Sequence, residues 1–455
     1  MRLSTIILAA GQGTRMRSDL PKVLQALAGK PLLGHVLDCA AELHAADVCV
    51  VYGHGGETVR NAFASQSLRW AQQAKQLGTG HAVQQAMPDT PDDNRVLILF
   101  GDVPLLRPGT CQRLLDETPE TDVAVLTVDM DDPTGYGRII REGDNVSSIV
   151  EEKDAGPDEK AVREINTGVM VCPADKLRHW LANLSNDNAQ GEYYLTDVVA
   201  MAVNDGATVH GVKAETWTEV MGINDKKQLA EAERALQARL VDELMKEGVG
   251  FADPARVDIR GTLRCGKDVF IDVNAVFEGD VELGDGVKIE SNNLVRDSKL
   301  GAGTLVHSNC HVEGAVTGST CEIGPFARLR PGAELADNVK VGNFVEIKKS
   351  TIADGSKVNH LTYIGDAEIG TNVNVGAGTI TCNYDGANKH KTTIGAGAFI
   401  GSGVELVAPV KVGAGATVGA GATVTKEVGE NELVIERSRQ KAIPGWKRPV
   451  KKGAQ

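Results

Sequence analysis

Residues 394–424 read IGAGAFIGSGVELVAPVKVGAGATVGAGATV and place a large apolar residue at every sixth position. These positions are Ile394, Ile400, Leu406, Val412, Val418 and Val424. A helix requires apolar spacings of three and four, and a single strand requires a spacing of two. A strict period of six therefore indicates short strands joined by corners, each strand sending one large side chain inward, as in a hexapeptide β-helix.

The same period occurs far upstream of this stretch. Apolar residues recur at Ile271, Phe277, Leu283, Ile289, Val295, Leu300, Val306, Val312, Ile323, Leu329, Leu335, Val341 and Ile347, with one five-residue step before Leu300. Glycine follows many of them, and we expect it at corners where the backbone takes unusual angles close to neighbouring coils. The stacked coils are expected to lie about 4.8 Å apart.

The composition indicates a soluble protein with more than one domain. The 455 residues exceed one ordinary core, and 42% hydrophobic with 24% charged residues is an ordinary balance. The net charge of −13 argues against sequence-independent nucleic-acid binding, which needs a basic surface. No apolar run approaches the ~20 residues that span a bilayer, and the first residues lack a signal pattern. Eight cysteines without a CxxC pair predict free thiols in a reducing cytoplasm.

A glycine-rich loop follows the first apolar run. Residues 3–10, LSTIILAA, predict a buried parallel strand, and Gly11-Gln12-Gly13-Thr14-Arg15 comes directly after it. Glycines at such a place let backbone N–H groups approach phosphate oxygens, and Arg15 and Lys22 can neutralise their charge. The loop is neither a Walker motif nor the dinucleotide motif, and a plain strand-to-helix turn has the same glycines.

Further strand-like runs alternate with helical ones through residues 47–173. DVCVVYG, RVLILFGDVP, DVAVLTVDM and INTGVMVCP are such runs, and the alternation predicts an α/β sheet that binds ligands at the carboxyl ends of its strands. Asp102 ends one of these runs, so its carboxylate is either a ligand for Mg²⁺ or a simple turn former.

Residues 225–247 contain neither glycine nor proline and are rich in Ala, Leu, Glu and Arg, which predicts one long helix. The helix is either a connector between the two halves or, for its first two turns, a core helix of the first. We predict an N-terminal domain over 1–226, a linker helix over 227–247 and a repeat domain over 248–455.

The longest break in the hexapeptide repeat lies between Val375 and Ile394. It contains CNYDGANKHK, which must leave the prism as a loop, and His360 lies shortly before it. A lone histidine is usually a solvated side chain, but here a basic cluster of Arg328, Arg330, Lys348 and Lys349 accompanies it. In an acidic protein such a cluster predicts a phosphate site.

The complete stretch LAAGQGTRMRSDLPKVL, residues 8–24, resembles the LAAGxGTRM…PKxL signature of the sugar-phosphate nucleotidyltransferases. The resemblance implies catalytic roles for Arg15 and Lys22, uracil reading by Gln73, and a Mg²⁺ site at Asp102 and Asn224. The residues that it implies for binding UTP and the UDP-sugar are Leu8, Ala9, Ala10, Gly11, Lys22, Gln73, Gly78, Thr79, Phe100, Gly101, Asp102, Gly137, Glu151, Asn166 and Asn224.

From Leu8 to Arg448 the chain resembles the family of bacterial bifunctional enzymes that acetylate glucosamine 1-phosphate with acetyl-CoA and then uridylylate the product with UTP. That family makes UDP-N-acetylglucosamine for peptidoglycan and lipopolysaccharide precursors. The resemblance implies a left-handed β-helix, a homotrimer, small-molecule substrates and no membrane insertion. It implies His360 as the general base and Glu346 as its orienting carboxylate.

The remaining implied positions fall into two groups. Those for glucosamine 1-phosphate are Arg330, Lys348, Tyr363, Asn374 and Lys389, and those for acetyl-CoA are Ala377, Asn383, Tyr384, Ser402, Ala420 and Arg437. The chain departs from the family at Ala442-Ile443-Pro444, where a basic residue often precedes Gly-Trp. An alternative is a sugar-1-phosphate nucleotidyltransferase whose β-helix only oligomerises. A covalent acyl-Cys382 intermediate is less favoured than direct attack by the amine.

Overall fold

The computed structural model describes residues 1–53, 55–437 and 440–449. The last residues assigned by sequence to the repeat domain, 450–455, lie outside the described part. The chain divides into two compact units, Met1–Arg239 and Leu240–Gln455. In the described residues, every helix is too short or too polar to cross a membrane.

The first unit contains eleven strands and the helices that connect them, within the described residues. The strands are β1 Arg2–Ala9, β2 Ala26–Leu27, β3 Lys30–Pro31, β4 Asp47–Tyr52, β5 Arg69–Gln72, β6 Asn94–Phe100, β7 Val123–Asp129, β8 Arg138–Glu142, β9 Asn145–Val150, β10 Glu164–Pro173 and β11 Val209–Lys213. The helices are α1 Leu32–Glu42, α2 Gly56–Ala62, α3 Thr79–Ala86, α4 Pro108–Asp116, α5 Pro157–Lys160, α6 Ala174–Ala182 and α7 Asp197–Asn204, and α8 Lys226–Lys246 follows.

The main sheet of this unit has the strand order β11-β7-β10-β6-β1-β4-β5. Strand β1 pairs in parallel with β4 and β6, whereas β10 is antiparallel to β6 and β7. The predicted mixed α/β sheet is therefore confirmed. Strand β1 lies centrally because its residues are apolar on both faces. Ile6 packs into the hydrophobic cluster on one face and Ile7 into the cluster on the other, and both are fully buried.

The predicted long helix is confirmed as α8, Lys226–Lys246. Asp225 begins it, because its side chain accepts a hydrogen bond from the N–H of Gln228 at 2.9 Å. Glu233 accepts from the Ala28 N–H at 2.7 Å, which ties the first part of the helix to the first unit. In the second unit, Val241 and Leu244 belong to the core of the repeat domain.

The second unit consists of short parallel strands. One sheet contains Gly250–Phe251, Phe270–Ile271, Lys288–Ile289, Leu305–Val306, Glu322–Ile323, Lys340–Asn343, Lys357–His360, Asn374–Val375, Phe399–Ile400, Thr417–Val418 and Leu433–Val434. The other contains Val257–Cys265, Ala275–Leu283, Leu294–Arg296, Lys299–Leu300, His311–Glu313, Ala315–Thr317, Arg328–Leu329, Ala333–Leu335, Glu346–Lys348, Ser350–Ile352, Tyr363–Gly365, Ala367–Ile369, Ile380–Cys382, Thr392–Ile394, Glu405–Val407, Val410–Val412 and Thr423–Val424.

The register of these strands explains the period of six. Lys340 pairs with Lys357, and Phe399 pairs with Thr417, so one coil takes 17 or 18 residues and contains three hexapeptides. Every residue in the predicted apolar series is at most 4% exposed. The predicted parallel β-helix of hexapeptide repeats is confirmed, and its core is a single column of aliphatic side chains.

We expected glycine after the apolar residues because the backbone there would take unusual angles, but the structure shows a different reason for glycine at these positions. Of the glycines in this position, only Gly324 has a φ in the left-handed region. Most of the others are required by the close approach of the backbone of the next coil. A Cβ on Gly395 would lie 2.5 Å from the Ala414 nitrogen. The left-handed residue instead comes two positions later, as at Gly397, whose φ is 68°.

This difference predicts opposite outcomes for two neighbouring substitutions. Gly395→Ala places a methyl group against backbone that cannot move away, so we expect a loss of about 1–3 kcal/mol of unfolding free energy. Gly397→Asn faces open space and keeps a residue that tolerates left-handed angles, so we expect a change within about 0.5 kcal/mol. Thermal unfolding of the full chain, followed by circular dichroism, compares them. Equal destabilisation by both variants would contradict the packing explanation.

Candidate functional site

A cleft of about 230 Å³ opens at the carboxyl ends of β1 and β6 in the first unit. Residues from the glycine-rich loop, from the start of α3 and from the end of β6 surround it. Its lining consists of Leu8, Ala9, Ala10, Gly11, Lys22, Val23, Gln73, Gln76, Gly78, Thr79, Ala82, Phe100, Asp102 and Glu192. Ten of the residues that the sequence assigned to the nucleotide site therefore meet in one place.

Lys22 is the charged centre of this cleft. Its ammonium group forms an ion pair with Asp102 and donates a hydrogen bond to Asn224 Oδ1 at 3.2 Å. Both side chains of the pair are largely buried, so the interaction is only weakly screened by water. The N–H of Ile223 donates to the Asp102 carbonyl at 2.9 Å and brings Asn224 to the cleft.

Three predicted residues line neither this cleft nor the second cavity described below. Arg15 is exposed on the turn Thr14–Met16, which leaves its guanidinium accessible to a bound anion. Gly101 donates its N–H to the Leu8 carbonyl at 2.9 Å and so extends the pairing of β6 with β1. Asn224 reaches the site through Lys22, as described above.

A second cavity of about 210 Å³ shares Thr79 and Phe100 with the cleft. Gly137, Glu151 and Asn166, which the resemblance assigned to binding the UDP-sugar, are among its lining residues. The other lining residues are Gly135, Tyr136, Thr167, Gly168, Met170, Leu195 and Thr196. Because the two cavities share two lining residues, they lie next to each other.

Glu151 is the acidic group of the second cavity. Burial raises the pKa of its carboxyl group, and a hydrogen bond of 3.0 Å from Thr196 Oγ1 opposes part of this rise. Gly168 has a φ of 86° and lies so close to Phe100 that a Cβ would be 2.5 Å from that ring. The glycine therefore allows the aromatic ring to form the wall between the two cavities.

In the second unit, one corner of the prism collects the predicted acetyl-transfer residues. Backbone hydrogen bonds join successive coils at Asn343, His360, Ala377, Ser402 and Ala420. Each of the first four carbonyl oxygens accepts a hydrogen bond from a backbone N–H of the next coil. Leu361 donates to Asn343 at 3.1 Å, Gly378 to His360 at 3.1 Å, Gly403 to Ala377 at 2.7 Å and Gly421 to Ser402 at 2.8 Å. We call this series the corner ladder, and it spans about 14 Å from His360 to Ala420 at the usual coil spacing.

The structure shows other partners for Glu346 and His360 than the predicted pairing of these two side chains. His360 Nδ1 lies 2.9 Å from Asn343 Oδ1, so the amide of the preceding coil holds the ring. Glu346 instead accepts a hydrogen bond from Arg330 at 2.8 Å. Arg328 also lies 3.9 Å from the Glu346 carboxylate, so the positive charges of two arginines hold this carboxylate in place. Asn343 was missed by sequence reasoning, although its distance of 17 residues from His360 is one coil.

Three of the predicted sugar-phosphate residues, Arg330, Lys348 and Tyr363, lie on the face that follows this corner. The Glu346 contact raises the pKa of Arg330, which keeps the guanidinium charged. Arg330 and Lys348 occupy equivalent positions on adjacent coils, each directly after a paired residue. Tyr363 folds over Gly365, where a Cβ would lie 2.3 Å from the tyrosine oxygen, and its hydroxyl lies 3.5 Å from Asn383 Nδ2.

The loop inserted after Val375 forms a small hairpin through the bridge between Tyr384 and Lys389. The ammonium of Lys389 lies 4.2 Å from the centre of the Tyr384 ring, a cation–π contact. Asn374 is half-buried at the start of its strand, and Arg437 passes beside Gly419 near the end of the corner ladder. The structure thus brings the loop and the C-terminal segment to the region of the predicted site.

Cys382 is a poor nucleophile. Burial raises the pKa of its thiol to about 11, and the hydrogen bond that it donates to Glu405 Oε2 at 3.2 Å adds to the rise. The thiolate is the nucleophilic form of cysteine, and little of it exists near neutral pH. This disfavours the acyl-cysteine alternative.

Comparisons with protein families match both halves of the chain separately. Residues 5–192 match the family described as MobA-like NTP transferase domain. Residues 391–426 match the family described as bacterial transferase hexapeptide (six repeats). The first match covers the strands and loops of the nucleotide cleft, and the second covers the last coils of the corner ladder.

Comparison with curated proteins finds relatives over the whole length. The chain is 57% identical over 450 residues to the bifunctional protein GlmU of Azoarcus sp. (strain BH72). The matched residues cover 99% of this chain and 100% of that protein. It is 54% identical over 449 residues to the bifunctional protein GlmU of Herminiimonas arsenicoxydans, covering 99% of both. Both identities extend across the two units.

The environment of Cys382 gives a test of the site's electrostatics. Glu405→Gln removes a negative charge and a strong acceptor, so the pKa of the Cys382 thiol should fall and its alkylation by iodoacetamide near neutral pH should speed up several-fold. Mass spectrometry of the labelled peptides measures the rate. Cys265 is the internal control, since burial raises the pKa of its thiol to about 12 independently of Glu405. Unchanged labelling of Cys382 would contradict the assigned hydrogen bond.

Proposed function

The chain belongs to the family of bifunctional GlmU proteins, and from this membership we propose two activities for it. The second unit transfers an acetyl group from acetyl-CoA to glucosamine 1-phosphate. The first unit then transfers a uridylyl group from UTP to the resulting N-acetylglucosamine 1-phosphate, releasing pyrophosphate. The corner ladder is the observation that supports a catalytic second unit, because a β-helix with only a structural role does not require a histidine aligned with three small residues. We assign the activities to residues 1–226 and 248–455, on either side of a linker at 227–247.

The glycine-rich loop is proposed to hold the nucleotide. The backbone of Leu8, Ala9, Ala10 and Gly11 lines the cleft, and Gly11 has open space where a Cβ would be. Backbone N–H groups can therefore approach phosphate oxygens closely. On the opposite wall, Gln73, Gly78 and Thr79 face the base, and Phe100 separates the base from the sugar.

Uridylyl transfer is proposed to be an in-line displacement. A phosphate oxygen of N-acetylglucosamine 1-phosphate attacks the α-phosphorus of UTP, the α–β bridging bond breaks, and pyrophosphate leaves. The protein's part in such a transfer is positioning and neutralisation of charge. Lys22 supplies a buried positive charge beside the attacked group, and the exposed Arg15 can close over the leaving pyrophosphate.

Asp102 and Asn224 are proposed to hold Mg²⁺. The fit rests on Lys22, whose ammonium contacts both Asp102 and Asn224 Oδ1 and so shows that these oxygens converge on one cation-sized position. Mg²⁺ prefers such oxygen ligands and completes its shell with water and substrate phosphates. When bound, it supplies charge neutralisation for the triphosphate.

The second cavity is proposed to take the N-acetylglucosamine. Asn166 and the backbone at Gly137 offer hydrogen-bonding groups for hydroxyl and acetamido groups. Glu151 faces a neutral ligand, and its raised pKa is consistent with a carboxyl group in a partly dehydrated site.

Acetyl transfer is proposed to use His360 as the general base. The amine of glucosamine 1-phosphate attacks the thioester carbonyl, and His360 accepts the amine proton at Nε2. The carbon–sulfur bond then breaks, and His360 returns this proton to the departing sulfur, so coenzyme A leaves as the thiol. Asn343 holds Nδ1 and so fixes which nitrogen faces the amine. Arg330, Lys348, Tyr363, Asn374 and Lys389 are proposed to bind the sugar phosphate.

Acetyl-CoA is proposed to extend along the corner ladder. Ala377, Ser402 and Ala420 are small and follow His360 coil by coil, which leaves a shallow track with the base at one end. Asn383 and Tyr384 of the loop border the track near the base, and Arg437 lies beside its far end. A cation at that end suits the phosphates of coenzyme A.

A homotrimer is also proposed. Phe326, Phe344 and Leu361 are exposed by 50%, 55% and 62% on consecutive coils, and each has a φ between 51° and 57°. The two phenylalanine rings stack at 5.3 Å. Bulky residues in this conformation on an open surface suit an apolar column that a second copy covers.

Substitutions at Lys22 and Asp102 should separate the two activities. Lys22→Met and Asp102→Asn should each lower uridylyl-transfer turnover about 10²–10³-fold, the usual loss for a group that stabilises developing charge. Pyrophosphate release from UTP and N-acetylglucosamine 1-phosphate measures this, and thiol release from acetyl-CoA should stay unchanged. Added Mg²⁺ should restore part of the loss for Asp102→Asn only. Lys30→Met, which removes an exposed lysine paired with Asp38, is the matched control. Parallel loss of both activities would point to misfolding.

Replacement of His360 should abolish only the other activity. His360→Ala should lower acetyl-transfer turnover about 10²–10⁴-fold, because a positioned base is lost. Asn343→Ala keeps the base but frees its ring, so a smaller loss of about tenfold is expected. Thiol release from acetyl-CoA at saturating glucosamine 1-phosphate measures both. His307→Ala, in the same β-helix, should act normally. A His360→Ala protein with a third of its acetylation rate would refute the assignment.

A further inference from the structure

The carboxamide of Gln73 is held on its nitrogen side by two groups. Gln73 is 3% exposed and lines the nucleotide cleft. Its Nε2 lies 3.0 Å from the Gly78 carbonyl oxygen and 3.1 Å from Nδ1 of His81. Its Oε1 has no hydrogen-bond donor in residues 1–53, 55–437 or 440–449. The oxygen is therefore the group that Gln73 offers to a ligand.

These contacts also determine the protonation of His81. A carbonyl oxygen can only accept, so the Gln73 atom beside Gly78 must be the amide nitrogen. That nitrogen has only protons to offer, so His81 Nδ1 must be the unprotonated, accepting nitrogen. The ring proton is then on Nε2. Burial lowers the pKa of His81, which favours this neutral form.

The surroundings of His81 leave this arrangement undisturbed. Gln85 Nε2 lies 3.3 Å from His81 Nε2 but also donates to the His81 carbonyl at 3.1 Å, so it does not require a lone pair on the ring. The Tyr193 ring lies 6.4 Å away, centre to centre, and covers one side of the imidazole. Among the described residues, burial is the only cause that perturbs the His81 pKa.

We propose that His81 is a positioning residue for base selection, which by accepting at Nδ1 fixes the Gln73 carboxamide with its oxygen toward the cleft. Uracil presents an N–H at ring position 3 and can donate to this oxygen. Cytosine has a lone pair at the same position, which would face the oxygen without a proton between them. The structure thus assigns the preference for uracil over cytosine to a residue that touches neither base. The inference rests on the proposed uridylyl transfer.

Two substitutions separate hydrogen bonding from packing at this position. His81→Phe keeps an aromatic ring beside Tyr193 but has no acceptor. His81→Asn loses the ring but places Oδ1 where Nδ1 was, so it can still accept from Gln73. If His81 acts by hydrogen bonding, Asn must preserve the selectivity that Phe loses, whereas a packing role requires the reverse.

The measurement is kcat/KM for UTP and for CTP with N-acetylglucosamine 1-phosphate, read as pyrophosphate release by the full chain. His81→Phe should lower the UTP:CTP ratio roughly tenfold, mainly through a higher KM for UTP, because one of two contacts holding the amide is lost while the Gly78 carbonyl remains. His81→Asn should keep the ratio within about threefold of the original, which corresponds to less than 1 kcal/mol.

The outcomes are distinguishable. An unchanged ratio in His81→Phe, a greater fall in His81→Asn than in His81→Phe, or equal falls in both would overturn the positioning role. Circular dichroism and thermal unfolding of the same preparations report whether the variants are folded, and His81→Leu replaces His81→Phe if that variant fails this control. Absence of pyrophosphate release from UTP by the unsubstituted protein would overturn the proposed uridylyl transfer itself.

Discussion

Hydrogen bonds between the backbones of successive coils are the constraint on which the repeat domain depends. They hold each coil against the next at a fixed short distance, so a side chain at certain corner positions has no room. Gly370, Gly395 and Gly413 show this directly, because a Cβ at each would lie within 2.6 Å of backbone in the following coil. The same bonds place residues one coil apart directly above one another, which is 17 or 18 positions in the regular coils and 25 across the inserted loop. Whatever function the domain has must be built from such columns.

The corner ladder is one of these columns, and its chemistry follows from its order. Asn343 comes first and holds the imidazole of His360, which comes second. The small residues Ala377, Ser402 and Ala420 follow and leave space outside the backbone. A polar pair at one end and small residues beyond it match the proposed site for an extended ligand whose reactive group ends at the histidine. The rigid stacking of the coils preorganises this alignment, so little conformational entropy is lost when a ligand binds.

In the first unit the corresponding constraint is electrostatic. Lys22 lies between Asp102 and Asn224 in a largely dehydrated cleft, where a charge without a partner would be costly. The three side chains come from a loop, from the end of β6 and from the segment before α8, which are distant in sequence. Their ion pair and hydrogen bond hold these segments together at the carboxyl edge of the sheet. A polyanionic ligand would meet a cation that is already in position.

The sequence by itself determined the architecture, because local periodicity carries that information. Every residue of the apolar series that the period of six identified is buried in the core of the β-helix, and the composition of residues 225–247 predicted α8 within one residue at each end. It also identified ten of the residues that line the cleft, through the motif at 8–24 and the loop after Gln73. Only the tertiary structure decided which groups pair. In the structure His360 contacts Asn343, Glu346 accepts a hydrogen bond from Arg330, and the Gln73 amide nitrogen faces His81. Such choices depend on ångström-scale distances between side chains on different coils or loops, and a linear pattern does not encode them. The corner glycines were likewise not explained by the sequence alone. Glycine is required at Gly395, for example, because the backbone of the next coil lies close, not because of its own dihedral angles.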